Sequence, residues 1–159
     1  MSTNCDGEGG VMIRGGRQGD LDAIVEFQIL MARETEGLEL DRETVVKGVQ
    51  AVLDDLTKGK YWIAEVSGRS VGGLLTVPEW SDWRNGTVLW IHSLYVVPEM
   101  RGQGIFTQLY ESLRARVERS PELKGLRLYV DKTNESASKV YERLGMDGEH
   151  YRLYEWMKE

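Results

Sequence analysis

The chain has 159 residues, 41% hydrophobic and 29% charged, with a net charge of −6. That suffices for one domain with a real core and is ordinary for a globular protein, while the negative balance argues against a nucleic-acid or anionic-membrane partner. No run approaches the ~20 apolar residues of a membrane span, and the single cysteine, Cys5, leaves no internal disulfide and fits a cytoplasmic protein.

Residues 1–10 are Gly-rich and polar and read as a flexible tail; residues 11–159 read as one domain, since neither a repeat nor a linker follows. Val11–Arg14 is a short first strand. Asp20 stands where a helix N-cap belongs, ahead of an apolar face from Leu21 to Met31. An acidic loop, Glu34–Asp41, separates it from a second helix marked by Val45, Val49, Val52, Leu53 and Leu56. Tyr61–Val66 and Ser70–Val77 form a hairpin about Ser67-Gly-Arg. Pro78–Gly86 is a loop containing Trp80-Ser-Asp-Trp, and Thr87–Val97 is a central strand stopped by Pro98. A third helix runs from Gly104 to Pro121, with Ile105, Leu109, Leu113 and Val117 on one stripe. Leu126–Val130 is a strand, Asn134 caps a helix ending at Gly145, and Tyr151–Met157 is a last strand. The order βααβββαβαβ contains one crossover unit, so a mixed α/β sheet is expected, parallel in part.

The residues that point to chemistry lie at Val97-Pro-Glu-Met-Arg-Gly-Gln-Gly-Ile-Phe106. The segment leaves a strand and opens a helix, whose first turn has unpaired amides and a partial positive charge. Gly102 and Gly104 permit close backbone approach, so the turn suits a pyrophosphate. It is neither the dinucleotide fingerprint nor a P-loop. A plain strand-to-helix turn would look the same from these residues alone. No His/Cys/carboxylate spacing indicates a metal.

The stretch resembles the acyl-CoA signature of the GCN5-related N-acetyltransferase (GNAT) superfamily, Arg/Gln-x-x-Gly-x-Gly/Ala, through Arg101 and Gly104. Phe106 departs from its small sixth residue, and so large a side chain must point away from the phosphates. Asn134-x-x-Ala137-x-x-x-Tyr141-x-x-x-Gly145-Met146 resembles the family's second motif, and Met12-Ile-Arg14 with Gly19–Ile24 its opening strand and helix. Leu89–Tyr95 is similar to the corresponding strand of the spermidine/spermine and thialysine acetyltransferase branch.

The resemblance implies acetyl transfer from acetyl-CoA to an amine, directly within a ternary complex, on a sheet whose central parallel strands splay. It implies that backbone at Leu94, Tyr95 and Val96 pairs with the pantetheine arm. Amides from Arg101, Gly102, Gln103, Gly104, Ile105 and Phe106 would hold the pyrophosphate. Asn134 would touch the CoA arm or simply cap its helix, and Tyr141 would protonate the leaving thiolate or be a core tyrosine. His92, mid-strand with an ordinary pKa of ~6.5, is a candidate general base or a core histidine; Glu79 and Asp82 are rivals. Glu34, with Glu36, Glu39 and Asp41, and the Trp80, Asp82, Trp83 group could receive a cationic acceptor through charge and cation–π attraction. A solvated loop and a pair of hairpin anchors are the alternatives. A small-molecule amine is the leading acceptor, ahead of a peptide amine or a non-catalytic CoA sensor. An uncovered sheet edge would favour a homodimer.

Overall fold

A computed structural model describes residues 9–159, so Cys5 and most of the expected tail lie outside the described residues. The chain groups into two compact units, one ending at Leu128 and the other running Tyr129–Glu159.

The first unit is built on one five-stranded sheet. Its strands are β1 (Met12–Gly15), β2 (Lys60–Val66), β3 (Arg69–Ser81), β4 (Gly86–Val96) and β5 (Leu123–Leu128), in that spatial order. The first four pair antiparallel and β5 joins β4 in parallel, through the crossover helix α3 (Ile105–Arg119). Helices α1 (Leu21–Glu36) and α2 (Arg42–Asp54) cover one face. There Ile24, Val25, Ile29 and Val49 pack with Tyr61 and Ile63 of β2. Strand alternation turns Trp62 to the opposite face, where the Arg116 guanidinium of α3 lies 4.4 Å from its ring. Ile105, Leu109 and Leu113 of α3 are all at most 2% exposed, which is why their stripe was legible.

Several boundaries differ from the sequence expectations. Asp20 does precede α1, but its carboxylate does not cap that helix. It accepts from both terminal nitrogens of Arg14 (2.7 and 2.8 Å) and from the Arg17 amide (2.8 Å), and sits 5% exposed. The Arg14 pair outweighs burial and holds the Asp20 carboxyl below its ordinary value. β3 runs on through Pro78 to Ser81 where a loop was expected. Pairing with β2 stops at Thr76, while pairing with β4 continues to Ser81. Past Thr76 one side of β3 is therefore an edge, where the missing N–H of proline breaks no ladder. β5 begins at Leu123 and ends at Leu128, earlier at both ends than expected.

The second unit contains α4 (Glu135–Arg143). Asn134 is its N-cap, accepting the Ala137 amide at 3.1 Å, and Gly145 closes it in the left-handed region at φ 85°. The expected last strand does not form: Tyr151–Met157 carries no strand pairing and every side chain in it is exposed. Its alternating apolar residues supply a strand pattern, but a strand exists only where a neighbour takes its hydrogen bonds.

Candidate active site

β4 changes character halfway along. Up to Ile91 it is paired on both sides, by β3 and by β5. The β5 register ends at Ile91↔Leu128, so His92–Val96 have strand pairing with β3 alone, and the Val96 carbonyl accepts Arg101 Nε–H at 2.9 Å. This is the splay expected from the family resemblance. It leaves a row of backbone groups facing the gap, as a ligand with amide-like groups requires.

A β-bulge sits where the splay begins. Leu75 pairs with His92 and Gly73 with Tyr95, so Ser93 and Leu94 stand opposite Leu74 alone. Ser93 takes the left-handed conformation, φ 54°, which a non-glycine residue adopts only when its surroundings impose it. The extra residue resets the alternation. Trp90, His92 and Tyr95, opposite Val77, Leu75 and Gly73, thus share the face covered by α1 and α2. The sequence alone showed no bulge, and regular alternation would have put His92 and Tyr95 on opposite faces.

On this face the Trp90 and His92 rings stack at 6.2 Å between centroids. His92 is half-buried, and burial lowers its pKa below the ordinary histidine value, so it is neutral at pH 7. The Trp90 indole N–H donates to Glu79, which also lies 3.5 Å from the Arg127 guanidinium. Glu79, a rival base, is thus committed to Trp90 and Arg127. Tyr95 packs on Phe27 at 5.4 Å, and its hydroxyl donates to Glu34 Oε1 at 3.1 Å.

Beyond β4 the chain makes a short 3₁₀ turn, Pro98–Met100, and reaches Arg101–Gly104. Gly102 and Gly104 have φ 74° and 78°, which explains the need for glycine at both. A Cβ at either would meet no atom within 4 Å, so the turn is an open cradle rather than a filled one. The first-turn amides of α3 have no acceptor earlier in the helix, and the first bond from this end runs from the Gln108 amide to the Gly104 carbonyl, 3.0 Å. Phe106 lies back along its own helix with its ring 6.2 Å from that of Tyr110, clear of the N-terminus as its size required. These features fit a pyrophosphate.

In the second unit, the Asn134 oxygen serves as the helix cap, as the simpler reading of that residue held. Burial raises the pKa of the Tyr141 phenol, so it carries its proton at neutral pH.

The expected acceptor residues are not gathered at His92. Trp80 is the second-last residue of β3, and Asp82 and Trp83 occupy the hairpin tip, where Asp82 accepts the Trp83 amide at 2.9 Å. Residues 86 to 92 of β4 separate that tip from His92 by about 20 Å at ~3.3 Å per residue. Trp83 is 90% exposed. The acidic loop is largely consumed by local structure: Glu39 pairs with Arg33 at 2.6 Å, and Asp41 caps α2 through the Thr44 amide at 3.0 Å. Glu34 belongs to the last turn of α1 and binds Arg101 as well as Tyr95.

The profile of the Acetyltransferase (GNAT) family matches residues 26–146, most of the chain. The chain belongs to the GNAT acetyltransferase family. It is 32% identical over 131 residues to an uncharacterized N-acetyltransferase of Archaeoglobus fulgidus, covering 81% of this chain and 88% of that one. It is 42% identical to a possible acetyltransferase from Clostridium difficile 630 whose crystal structure superposes with a TM-score of 0.88, covering 93% of this chain and 97% of the other. An aminoglycoside N-acetyltransferase crystallised with CoA shares the fold, with a TM-score of 0.75 at 16% identity over 98% of this chain and 99% of its own. This GNAT protein is therefore an acyltransferase that uses acetyl-CoA. Among the described residues no group of three or more His, Cys, Asp or Glu is placed to hold a metal, and no helix is long and apolar enough to cross a membrane.

Proposed function

We propose that this GNAT enzyme acetylates a primary amine of a small molecule, by direct transfer in a ternary complex and within one catalytic domain. The observation that supports this reading is the half-paired end of β4: beyond Ile91 it has lost its β5 partner, it carries a neutral His92, and the glycine turn follows it in the chain. Leu94, Tyr95 and Val96 would align the pantetheine arm, and the amides of Arg101–Phe106 would hold the pyrophosphate. Acetyl-CoA, when bound, supplies the activated acetyl group.

His92 accepts a proton from the acceptor ammonium, directly or through one water, because an alkylammonium at pKa ~10.4 is not nucleophilic. Tyr141 holds a phenolic proton for the departing thiolate. The motif match assigns that role, and the raised phenol pKa keeps the proton available. The acceptor class rests on the half-buried Trp90 and His92, where an aromatic ring and a neutral base suit an amine. A cytoplasmic location and a homodimer complete the proposal. The dimer draws support from the exposed apolar side chains of Tyr151, Leu153, Tyr154 and Trp156 and from β5, an edge strand of the described sheet.

The test is thiol release from acetyl-CoA over a panel of small amines, with Tyr141→Phe alongside the parent. The parent should turn over at least one small amine. The variant should bind acetyl-CoA normally while turnover falls by roughly 10²–10⁴-fold. Turnover of peptide amines alone would overturn the small-molecule reading. Near-parental turnover in the variant would remove Tyr141 as the acid.

A further inference from the structure

One carboxylate joins the two ends of the α1-side site. Glu34, in the last turn of α1, accepts the Tyr95 hydroxyl on one oxygen (3.1 Å) and an Arg101 terminal nitrogen on the other (2.7 Å). The same guanidinium donates its Nε–H to the Val96 carbonyl at 2.9 Å and lies 5.3 Å from the centre of the Tyr95 ring. Arg101 thus has three contacts, and all three tie it to the last residues of β4 and the end of α1.

The glycine turn needs holding. Residues Arg101–Gly104 are all exposed, and the two left-handed glycines permit many backbone conformations besides the one observed. At its far end the Gln103 amide nitrogen donates to the Glu99 carbonyl at 3.1 Å. At its near end the Arg101 side chain reaches out to α1 and β4, and Glu34 is the anionic group it binds there. The arginine holds the Glu34 carboxyl below its ordinary value, with a smaller contribution from Tyr95.

We propose that Glu34 is a positioning residue for the cofactor rather than an acceptor ligand: acting through Arg101 and Tyr95, it fixes the turn whose amides receive the pyrophosphate. This deepens the acetyl-CoA reading and rests on it. Without the carboxylate, ordering the turn falls to the ligand, so affinity drops. The pair is partly exposed, 37% and 46% at its two side chains, which bounds the effect.

Calorimetry of acetyl-CoA binding and steady-state kinetics on the full chain test this. Glu34→Gln should weaken acetyl-CoA binding by about fivefold, leaving kcat at saturation and the amine KM unchanged. The same substitution on an Arg101→Ala background should add much less, because only the route through Tyr95 is left. The parent–variant difference should shrink at high salt. A lower Tm with unaltered acetyl-CoA affinity would show a structural contact only and overturn the proposal. A raised amine KM with acetyl-CoA binding intact would overturn it in favour of acceptor binding. A parent that does not bind acetyl-CoA would overturn the acetyl-CoA reading itself, whereas a parent that binds it as tightly as Glu34→Gln does would overturn the positioning role alone.

Discussion

The two ends of β4 both carry aromatic and polar side chains but differ in how their backbone is paired. At the start, Trp80 near the end of β3 and the hairpin tip with Asp82 and Trp83 together offer two tryptophans and an aspartate, an attractive set for a cation. The tip is closed by local bonds, Arg84 N–H to the Ser81 carbonyl at 3.3 Å and Trp83 N–H to Asp82 at 2.9 Å, and points into solvent. At the other end, β5 has fallen away, a bulge has swung Tyr95 onto the face of His92, and a glycine turn follows at once. The difference is one of backbone, not side-chain chemistry. The proposed site lies where β4 has lost its β5 partner.

The largest expected effect is at His92. Its conversion to Gln keeps a polar side chain but removes the base, so turnover on the best amine should fall by roughly 10²–10⁴-fold. The pH profile sharpens the point. Burial lowers the His92 pKa, so the parent should lose kcat/KM only as pH drops below the ordinary value of ~6.5. The variant should lack that acid limb. Linkage runs in the same direction. A base with a depressed folded pKa contributes stability above its unfolded pKa and loses it as pH falls through the folded one. Acidification should therefore lower the parent Tm more than that of the variant. An acid limb unchanged in His92→Gln would assign it to another group.

The unequal ends of β4 also explain what was legible in the sequence. Periodic stripes are visible without a structure, so α2 and α3 and the hairpin strands β2 and β3 stood out through Val49, Leu109 and Ile63. The glycine turn was visible because Gly102 and Gly104 do what other residues rarely can. Three features were hidden for one reason: each depends on a neighbour's pairing. Pro78 fits inside β3 because β2 ends at Thr76. The bulge exists because β3 offers Leu74 alone to two residues. Tyr151–Met157 has a strand's pattern and no partner. The arginine partners of Glu34 and Asp20, which are Arg101 and Arg14, were likewise not visible in the sequence.

A smaller effect is expected at Gly104. Apart from its chain neighbours, no atom lies within 4 Å of an added Cβ, so crowding at the Cβ itself is not the issue for Gly104→Val. Its penalty comes from φ 78°, where an L side chain costs on the order of 1–2 kcal/mol and a β-branched one more. The backbone relieves that strain by leaving the left-handed region, which re-aims the amides at the start of α3. Acetyl-CoA affinity should fall at least tenfold, the equivalent of about 1.4 kcal/mol, with only a few degrees lost in Tm. Gly104→Ala should lie between parent and valine. Unchanged acetyl-CoA affinity in both would make this end of β4 as structural as the other.

The smallest effect is expected at Asp82, and it tests the comparison from its inert side. Its carboxylate accepts the Trp83 amide in a tight turn, an exposed local contact. Asp82→Asn keeps an oxygen at that position, and asparagine also suits such turns, so stability should change within ~0.5 kcal/mol. At about 20 Å along β4 from His92, well past the ~8–10 Å screening length of physiological salt, the lost charge should not be felt by a bound cation. The amine KM should stay within about twofold of the parent, and acetyl-CoA affinity should not move. A severalfold, salt-sensitive rise in amine KM would mean that an acceptor reaches the tip. The acceptor would then have to be long enough to span most of β4, as an extended polycation is, and the two ends would form one site. A panel of diamines of increasing length, assayed with parent and Asp82→Asn, separates the cases: a length-independent ratio near one keeps the tip out of the site.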